Sequence, residues 1–448
     1  MADARIRKLI EGLYTTEAKV GKSLNETCRL ILDFHDNQAV TQLKAIGRPV
    51  VPFLINALAY PRTRTHYRKT GAVLDPQSPF ARICDLLEEF HPPAAAASLA
   101  AYLDHPVRGM RKRAALCLGS IAAPDCIEPV KRALADPDKE VHFDTMMGIE
   151  RALKLSPGSD RSPSHADRAF LNDVFPAIAR LLNERDWAGH APRILLRIDR
   201  ERAIPLLLAA KCLSPANPNL EHILRALNDA HYQIPHRLLL PLLTKLDSRS
   251  GMPAVARPFA QALIAYANNP EAATEAKLRS LLASPDETIA AKAAEALAVM
   301  RGMDKIFHRI LQIEKRDGFD ALSEPQKRYY AVFLYDADVR NGGHLQYLGN
   351  FAPRDFHLAV DGLRAVQAPK RAAILEEGLQ VFGRSAPPKS RRRRHQILNG
   401  LTKRQRKVLS DLDQRYYEGR ENVNKLLALY AVNHKKEFAP ERVRRRSS

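Results

Sequence analysis

Residues Arg113–Val141, RAALCLGSIAAPDCIEPVKRALADPDKEV, decide the fold of this chain. An apolar helical segment ends at a turn, a second amphipathic segment follows, and Asp-Pro-Asp then introduces another helix. Proline interrupts a helix, and an aspartate side chain accepts hydrogen bonds from the free amides at the start of the next one. The stretch therefore predicts helices joined by short turns.

The same pattern occurs three times without gaps. Its copies are LDHPVRGM from Leu103, LADPDKEV from Leu134 and LASPDETI from Leu282, and the first two begin 31 residues apart. Each copy has an apolar residue, a polar turn and a second apolar residue seven positions after the first. One helix pair cannot bury its apolar face alone, so we expect successive pairs to stack.

The repeated segments resemble HEAT repeats, particularly the short type found in bilin-lyase-like proteins. The resemblance covers roughly residues 20–302, with less regular units at Ala39–Pro61, Arg193–Lys211 and Leu220–Leu246. It implies an α-solenoid whose concave face binds protein or nucleic acid. We therefore predict a first domain at residues 1–302.

The composition favours a helical, basic protein. Hydrophobic residues make up 45% of the 448 positions and only 20 are Gly, which favours helix. Five scattered cysteines without a C-x-x-C pair are typical of a reducing compartment. Neither a signal-peptide pattern nor a membrane-spanning run is present, so we expect a cytoplasmic protein with no membrane partner.

The net charge of +20 is uneven, because residues 303–448 carry 30 Lys and Arg against 17 Asp and Glu. Such a surface attracts nucleic acid or other polyanions.

A different pattern begins after residue 302, in LSEPQKRYYAVFLYDADVRNGGHLQYLGN (residues 322–350). Ser323 and Pro325 are typical of a helix start. Asn-Gly-Gly at 341–343 predicts a stop with a left-handed C-terminal cap, after which a second helix begins at about His344.

This stretch resembles the signature of the DNA-mimic-protein C-terminal-like family, over roughly residues 304–438. The matching positions are Asp338, Asn341, Gly342, Gly343, His344, Gln346, Tyr347 and Asn350. The family usually has Phe where this chain has His344. The resemblance implies a small helical domain, predicted at residues 303–440 and followed by a basic disordered tail at 441–448. The motif's polar side chains either line a pocket for an anion or peptide backbone, or form an internal hydrogen-bond network.

The family's namesake is implied to act as an acidic surrogate for DNA, but the charge of this domain has the opposite sign. Between Glu377 and Asp411 there is no acidic residue. We predict an exposed loop at Lys389–Gln396, followed by a second basic cluster, and the side chains that would bind phosphates are Arg391, Arg392, Arg393, Arg394, Lys403, Arg404, Arg406 and Lys407. The alternative is a solvated segment that only aids solubility. Few aromatic residues are interleaved, so sequence-specific recognition is not expected.

Enzymatic motifs are absent from the sequence: there is no P-loop, G-x-G-x-x-G, H-E-x-x-H or G-x-S-x-G. No metal site or cofactor is predicted. HEAT-like arrays include lyases and alkylpurine DNA glycosylases, and in a glycosylase Trp187 would stack on a base beside the Asp186 carboxylate. The alternative is a Trp packed between helices with Asp as a helix cap.

The sequence thus predicts an all-α protein with a HEAT-like α-solenoid and a small C-terminal helical domain. The main hypothesis is a non-enzymatic binding or adaptor protein that binds a protein partner. The alternative is a sequence-nonspecific nucleic-acid-binding protein that uses residues 384–407, and a third hypothesis is a HEAT-like glycosylase or lyase. No oligomeric state follows from the sequence.

Overall fold

The structure is a computed structural model that describes residues 2–14, 38–59, 65–66, 73–74, 77–154, 165–184, 188–247, 253–269, 273–303, 305–350, 356–383 and 387–438. Trp187, Asp186 and the predicted tail at 441–448 lie outside these residues. The chain divides into two compact units, Met1–Ala226 and Leu227–Ser448.

The described part of the first unit is made almost entirely of α-helices and 3-10 helices, which confirms the all-α prediction. Two short strands, Thr65–His66 and Val73–Leu74, pair antiparallel. The α-helices are Ala2–Gly12, Gln38–Ile46, Val51–Ala59, Gln77–Phe90, Ala96–Ala100, Arg108–Ile121, Ile127–Ala133, Lys139–Ala152, Arg168–Arg180, Ala191–Ile198 and Arg200–Leu207. Helix Leu220–Asp229 begins in this unit and ends in the next. The 3-10 helices are Arg48–Val50, Pro93–Ala95, Ala101–Asp104, Pro124–Cys126, Leu181–Asn183 and Ala188–His190.

Helix pairs occur where the repeat predicts them, and glycine sets their closest approach. Arg108–Ile121 packs along Lys139–Ala152. A Cβ atom at Gly119 would lie 2.6 Å from the Thr145 carbonyl oxygen, and one at Gly148 would overlap a backbone oxygen of the first helix. The two helices therefore touch through their backbones.

The polar turns start the following helix in two of the three copies. Asp138 accepts a hydrogen bond from the Glu140 amide, and Asp286 accepts from Thr288 and Ile289. In the copy that begins at Leu103, Val107 occupies the N-cap position, and its own amide donates to His105 Nδ1 at 3.1 Å. The predicted aspartate cap is therefore wrong for that copy.

The second unit contains the end of the repeat-like region and the C-terminal helices. Its α-helices are His236–Asp247, Pro253–Ala267, Glu275–Leu281, Glu287–Met300, Ile306–Asp317, Glu324–Gly349, Phe356–Ala365, Pro369–Leu379, Arg391–Asn399, Lys403–Glu418, Val423–Asn433 and Lys435–Phe438, with 3-10 helices at Phe319–Ala321 and Gln380–Phe382. Among the described helices, none has the length and apolar character needed to cross a membrane.

Three of these helices carry the residues that the sequence singles out. We name Glu324–Gly349 the NGG helix, Arg391–Asn399 the arginine helix and Lys403–Glu418 the capping helix. The NGG helix packs against both of the others.

The predicted domain boundary at residues 302/303 falls inside the second unit. Helix Glu287–Met300 packs on helix Val423–Asn433. Lys425 Nζ donates to the Leu282 carbonyl at 2.7 Å, which ties the two sides of that boundary together. The boundary itself stays a prediction.

Candidate functional site

The NGG helix is broken at Gly342 and Gly343. Gly342 has φ −162° and ψ 26°, and Gly343 has φ 73° and ψ −176°, so neither is helical and the helix kinks there. The predicted left-handed cap is wrong in detail, because the ψ value of Gly343 lies far from the left-handed helical region and in a region that essentially only glycine occupies. We call residues 342–343 the helix break.

Asp413, on the capping helix, caps the first backbone amide of the segment after the helix break. Its Oδ1 accepts a hydrogen bond from the His344 amide at 2.7 Å and lies 2.6 Å from His344 Nδ1. The first amides of a helix have no partner within the helix, and a carboxylate that accepts from them is stabilising. Asp413 therefore acts as an N-terminal cap supplied by another helix.

The contacts of the His344 ring define its tautomer. A carboxylate only accepts, so Nδ1 carries the proton that it donates to Asp413. Nε2 then accepts from the Tyr335 hydroxyl, 3.0 Å away. His344 is fully buried. Burial lowers its pKa from the usual value, and this outweighs the opposing effect of Asp413, so the ring is neutral.

Tyr417, also on the capping helix, donates to backbone carbonyls at the end of the segment before the helix break. Its hydroxyl donates to the Val339 carbonyl oxygen at 2.8 Å and lies 3.3 Å from the Arg340 carbonyl oxygen. Asp413 and Tyr417 are four residues apart and so share one face of the capping helix. One helix face therefore satisfies backbone groups on both sides of the helix break.

Aromatic side chains fill the space between these helices. The Tyr335 ring lies edge-on to Tyr347 and Tyr416, with ring centroids 4.9 and 5.6 Å apart. The Tyr416 hydroxyl donates to Asp336, whose other oxygen accepts from Arg340 Nε at 2.8 Å. Burial raises the pKa of Tyr416, so its hydroxyl stays protonated and can donate.

The remaining polar residues of the motif lie toward the surface. Asp338 Oδ1 accepts from Asn350 Nδ2 at 2.7 Å and from Gln346 Nε2 at 3.4 Å. These bonds connect the segments before and after the helix break. Asn341 is exposed. The structure therefore brings Asp338, Gln346 and Asn350 together and places His344 and Tyr347 in the core.

The predicted loop of four arginines is wrong: these residues form the first turn of the arginine helix. Ser390 caps that helix by accepting from the Arg393 amide. A helix directs successive side chains about 100° apart, which separates the neighbouring positive charges. Arg391, Arg392 and Arg393 are exposed, and Arg394 is buried.

Arg394 does not face solvent, so the structure contradicts its assignment as a phosphate ligand. Its side chain is 2% exposed. Nε donates to the Leu348 carbonyl at 3.0 Å, Nη1 donates to Lys389 at 2.9 Å, and Nη2 donates to Asn350. Arg394 therefore joins the arginine helix to the carbonyl end of the NGG helix.

The second basic cluster is also divided between structural and exposed side chains. Arg406 Nη2 donates to the Leu398 and Asn399 carbonyls at 3.2 and 3.0 Å and closes the end of the arginine helix. Lys407 Nζ lies 3.1 Å from Asp411 Oδ1. Lys403 and Arg404 are exposed.

Asp413, Tyr417 and the arginine-helix cap Ser390 are the residues of this site that the sequence analysis missed. Asp413 lies 69 residues after His344 and Tyr417 lies 78 after Val339. The only local signal is the spacing in DLDQRYYE (411–418), which places a carboxylate and a tyrosine on one helix face next to the buried Tyr416.

Two neighbouring carboxylates on helix Pro369–Leu379 are paired with cations. Arg364 pairs with Glu376, Arg415 pairs with Glu377, and each ion pair measures 2.6 Å. Paired charges cancel at a distance, so these carboxylates do not form a phosphate-like array.

Residues 320–434 match the family model described as DMP19-like protein. They include all three named helices, and they confirm the predicted C-terminal resemblance over that range. The predicted HEAT-like region lies entirely outside the match and stays a prediction.

No curated protein matches the chain. Among solved structures, the crystal structure of an engineered protein is similar with a TM-score of 0.30 and 15% identity, over 97% of this chain and 99% of that chain. This similarity is too low to support any inference.

Proposed function

We propose that this chain is a non-enzymatic binding protein whose second unit holds a segment of a protein partner. A groove of about 710 Å³ in that unit supports the proposal. Helices Glu287–Met300, Ile306–Asp317, Val423–Asn433 and the NGG helix supply its walls. We call this feature the groove.

The floor of the groove is aromatic and aliphatic. Phe307 stacks on Phe333 with ring centroids 3.8 Å apart, and both rings remain half-buried. Ala291, Val299 and Leu427 add aliphatic surface. Binding is favourable when an apolar side chain from outside covers a half-exposed apolar floor of this size.

The rim of the groove is polar and of mixed charge. Glu295 and Lys292 form an ion pair at 2.5 Å, and Asn424 is an exposed amide. An apolar centre with a polar rim is typical of the surface that receives one anchoring side chain of a protein partner. The occupant that fits is a protein segment presenting an aliphatic or aromatic residue, with backbone groups that bond the rim amides.

DNA mimicry is not part of the proposal. It requires carboxylates that project unpaired at phosphate spacing, whereas the domain is basic and several of its carboxylates, those of Asp336, Asp411 and Asp413 among them, are engaged by Arg, Lys or His. The helix pairs of the first unit would offer a further protein-binding surface, as the HEAT resemblance implies.

The test is affinity capture from nuclease-treated extract with the parent chain, Ala291→Arg and Ala337→Arg. Ala291 lines the groove, whereas Ala337 is exposed on the NGG helix and does not line it. Both substitutions suit a helix and remove no packing contact of a large side chain. We expect a stoichiometric protein that the parent and Ala337→Arg retain in moderate salt and that Ala291→Arg loses. Equal capture by all three, or a protein captured only from extract without nuclease treatment, would contradict the proposal.

A further inference from the structure

Two consecutive helices of the second unit begin with clusters of positive charge. The first turn of the arginine helix contains Arg391–Arg394, and that of the capping helix contains Lys403, Arg404 and Arg406. Neither first turn contains an acidic residue. Helix starts carry a partial positive charge, so acidic residues stabilise them and basic residues do not. These residue types are therefore not explained by helix stability.

The structure separates the basic side chains that support the fold from those that face solvent. Arg394 and Arg406 donate to main-chain carbonyls and so hold the two helix starts in place. Arg392, Arg393, Lys403 and Arg404 are exposed, and no carboxylate of the described residues lies within ion-pair distance of them. We call these four side chains the basic patch.

The surroundings of the basic patch contain little apolar surface. Among the described residues from Lys389 to Ser410, the one large apolar side chain that is exposed is Val408, at 38%. A protein interface or an inserted membrane anchor needs apolar surface at its centre, whereas binding to a phosphate backbone needs cations alone.

We propose that the basic patch binds the phosphate backbone of nucleic acid without sequence specificity. Each guanidinium presents a planar pair of N–H donors to phosphate oxygens, and the lysine adds a compact charge. The bonds of buried Arg394 and of exposed Arg406 to main-chain carbonyls hold the patch on ordered helix starts, which reduces the entropy lost on binding. The site is separate from the groove and does not depend on the protein partner proposed above.

The first experiment titrates the full chain into fluorescein-labelled duplex DNA of random sequence and follows anisotropy at increasing KCl. Four phosphate contacts predict that log K falls with log salt with a slope of about −3 to −4. Arg392→Glu/Arg393→Glu should weaken binding by at least about tenfold and make the slope shallower by about 2. Its melting temperature should equal or exceed that of the parent, because acidic residues suit a helix start.

The matched control is Lys435→Glu/Lys436→Glu, which makes the same change in net charge at exposed positions of the same unit. Its affinity should stay within about threefold of the parent. Failure of the parent to bind duplex at low salt would overturn the proposal. Equal losses in the two double variants, which would show that only overall charge matters, would also overturn it. If the chain binds poly-glutamate or phosphatidylserine vesicles more tightly than duplex DNA, the proposal is overturned, and the patch is assigned to an acidic protein or to a membrane.

Discussion

The surroundings of the helix break and the basic patch lie in the same unit, and both contain the kind of polar residues that often bind ligands. At the helix break, the His344 amide, its ring nitrogens and the Val339 carbonyl all have partners inside the protein. At the basic patch, the exposed cations have no carboxylate partner among the described residues. The first region therefore uses its polar groups to hold a fold, and the second leaves its charges available to a ligand.

The difference shows that the partners of a polar residue decide its role more than its type does. Arg393 and Arg394 are adjacent and identical in chemistry. One is exposed, and the other is buried against carbonyls. Substitutions at paired positions therefore test which polar groups hold the fold and which are available to a ligand.

The largest effect is expected for Gly343→Ala. Alanine at φ 73° and ψ −176° is strained, and its Cβ would overlap the Asp413 carboxylate. We expect urea denaturation to show a loss of at least about 3 kcal/mol in the free energy of unfolding. Gly342→Ala is the control, because φ −162° suits any residue and its Cβ meets the end of the flexible Gln346 side chain. Equal losses in the two variants would contradict this account of the helix break.

The next largest effect is expected for Arg394→Ala, at about 2 to 3 kcal/mol of unfolding free energy. Removal of the guanidinium leaves the carbonyls of Leu348 and Lys389 without their donor and opens a buried space. Arg393→Ala should change stability by no more than about 0.5 kcal/mol. A thermal or urea comparison in which Arg393→Ala is the more destabilised would reverse the assignment of the two arginines.

The substitution Asp413→Asn should lower the free energy of unfolding by about 1 to 2 kcal/mol. The neutral amide keeps one acceptor for the His344 backbone but loses the charge that strengthens both bonds. Asp411→Asn serves as the control, because its exposed pairing with Lys407 contributes little. The measurement is again the urea midpoint, and indistinguishable midpoints would show that Asp413 is dispensable.

A smaller effect is expected from pH. The folded-state pKa of His344 is lowered below its usual 6.5, so the unfolded chain binds a proton more readily. The stability that the neutral ring contributes is present above pH 6.5 and is lost as the pH falls toward the folded-state pKa. His344→Phe should therefore lose less stability between neutral pH and mild acid than the parent does. His91, with a pKa lowered to about 4 by burial, adds the same trend to both proteins. A variant as acid-sensitive as the parent would contradict the prediction.

The sequence was informative where structure depends on neighbours along the chain. Helix pairs, the caps at Asp138 and Asp286 and a discontinuity at Gly342–Gly343 all follow from local residue preferences. Asp413 and Tyr417 could not be predicted, because their partners lie 69 and 78 residues away. The inward direction of Arg394 could not be predicted either, because only the packing of the arginine helix decides which of the four arginines is buried.

The central claim is that the capping helix holds the helix break from outside the NGG helix. Amide hydrogen exchange at His344 tests it most directly, in the parent and in Asp413→Ala, with the Val332 amide inside the NGG helix as the internal reference. The account predicts that loss of the carboxylate speeds His344 exchange by about tenfold or more relative to Val332, since a charged hydrogen bond contributes about 1.5 to 3 kcal/mol. Unchanged protection of His344 would contradict the claim.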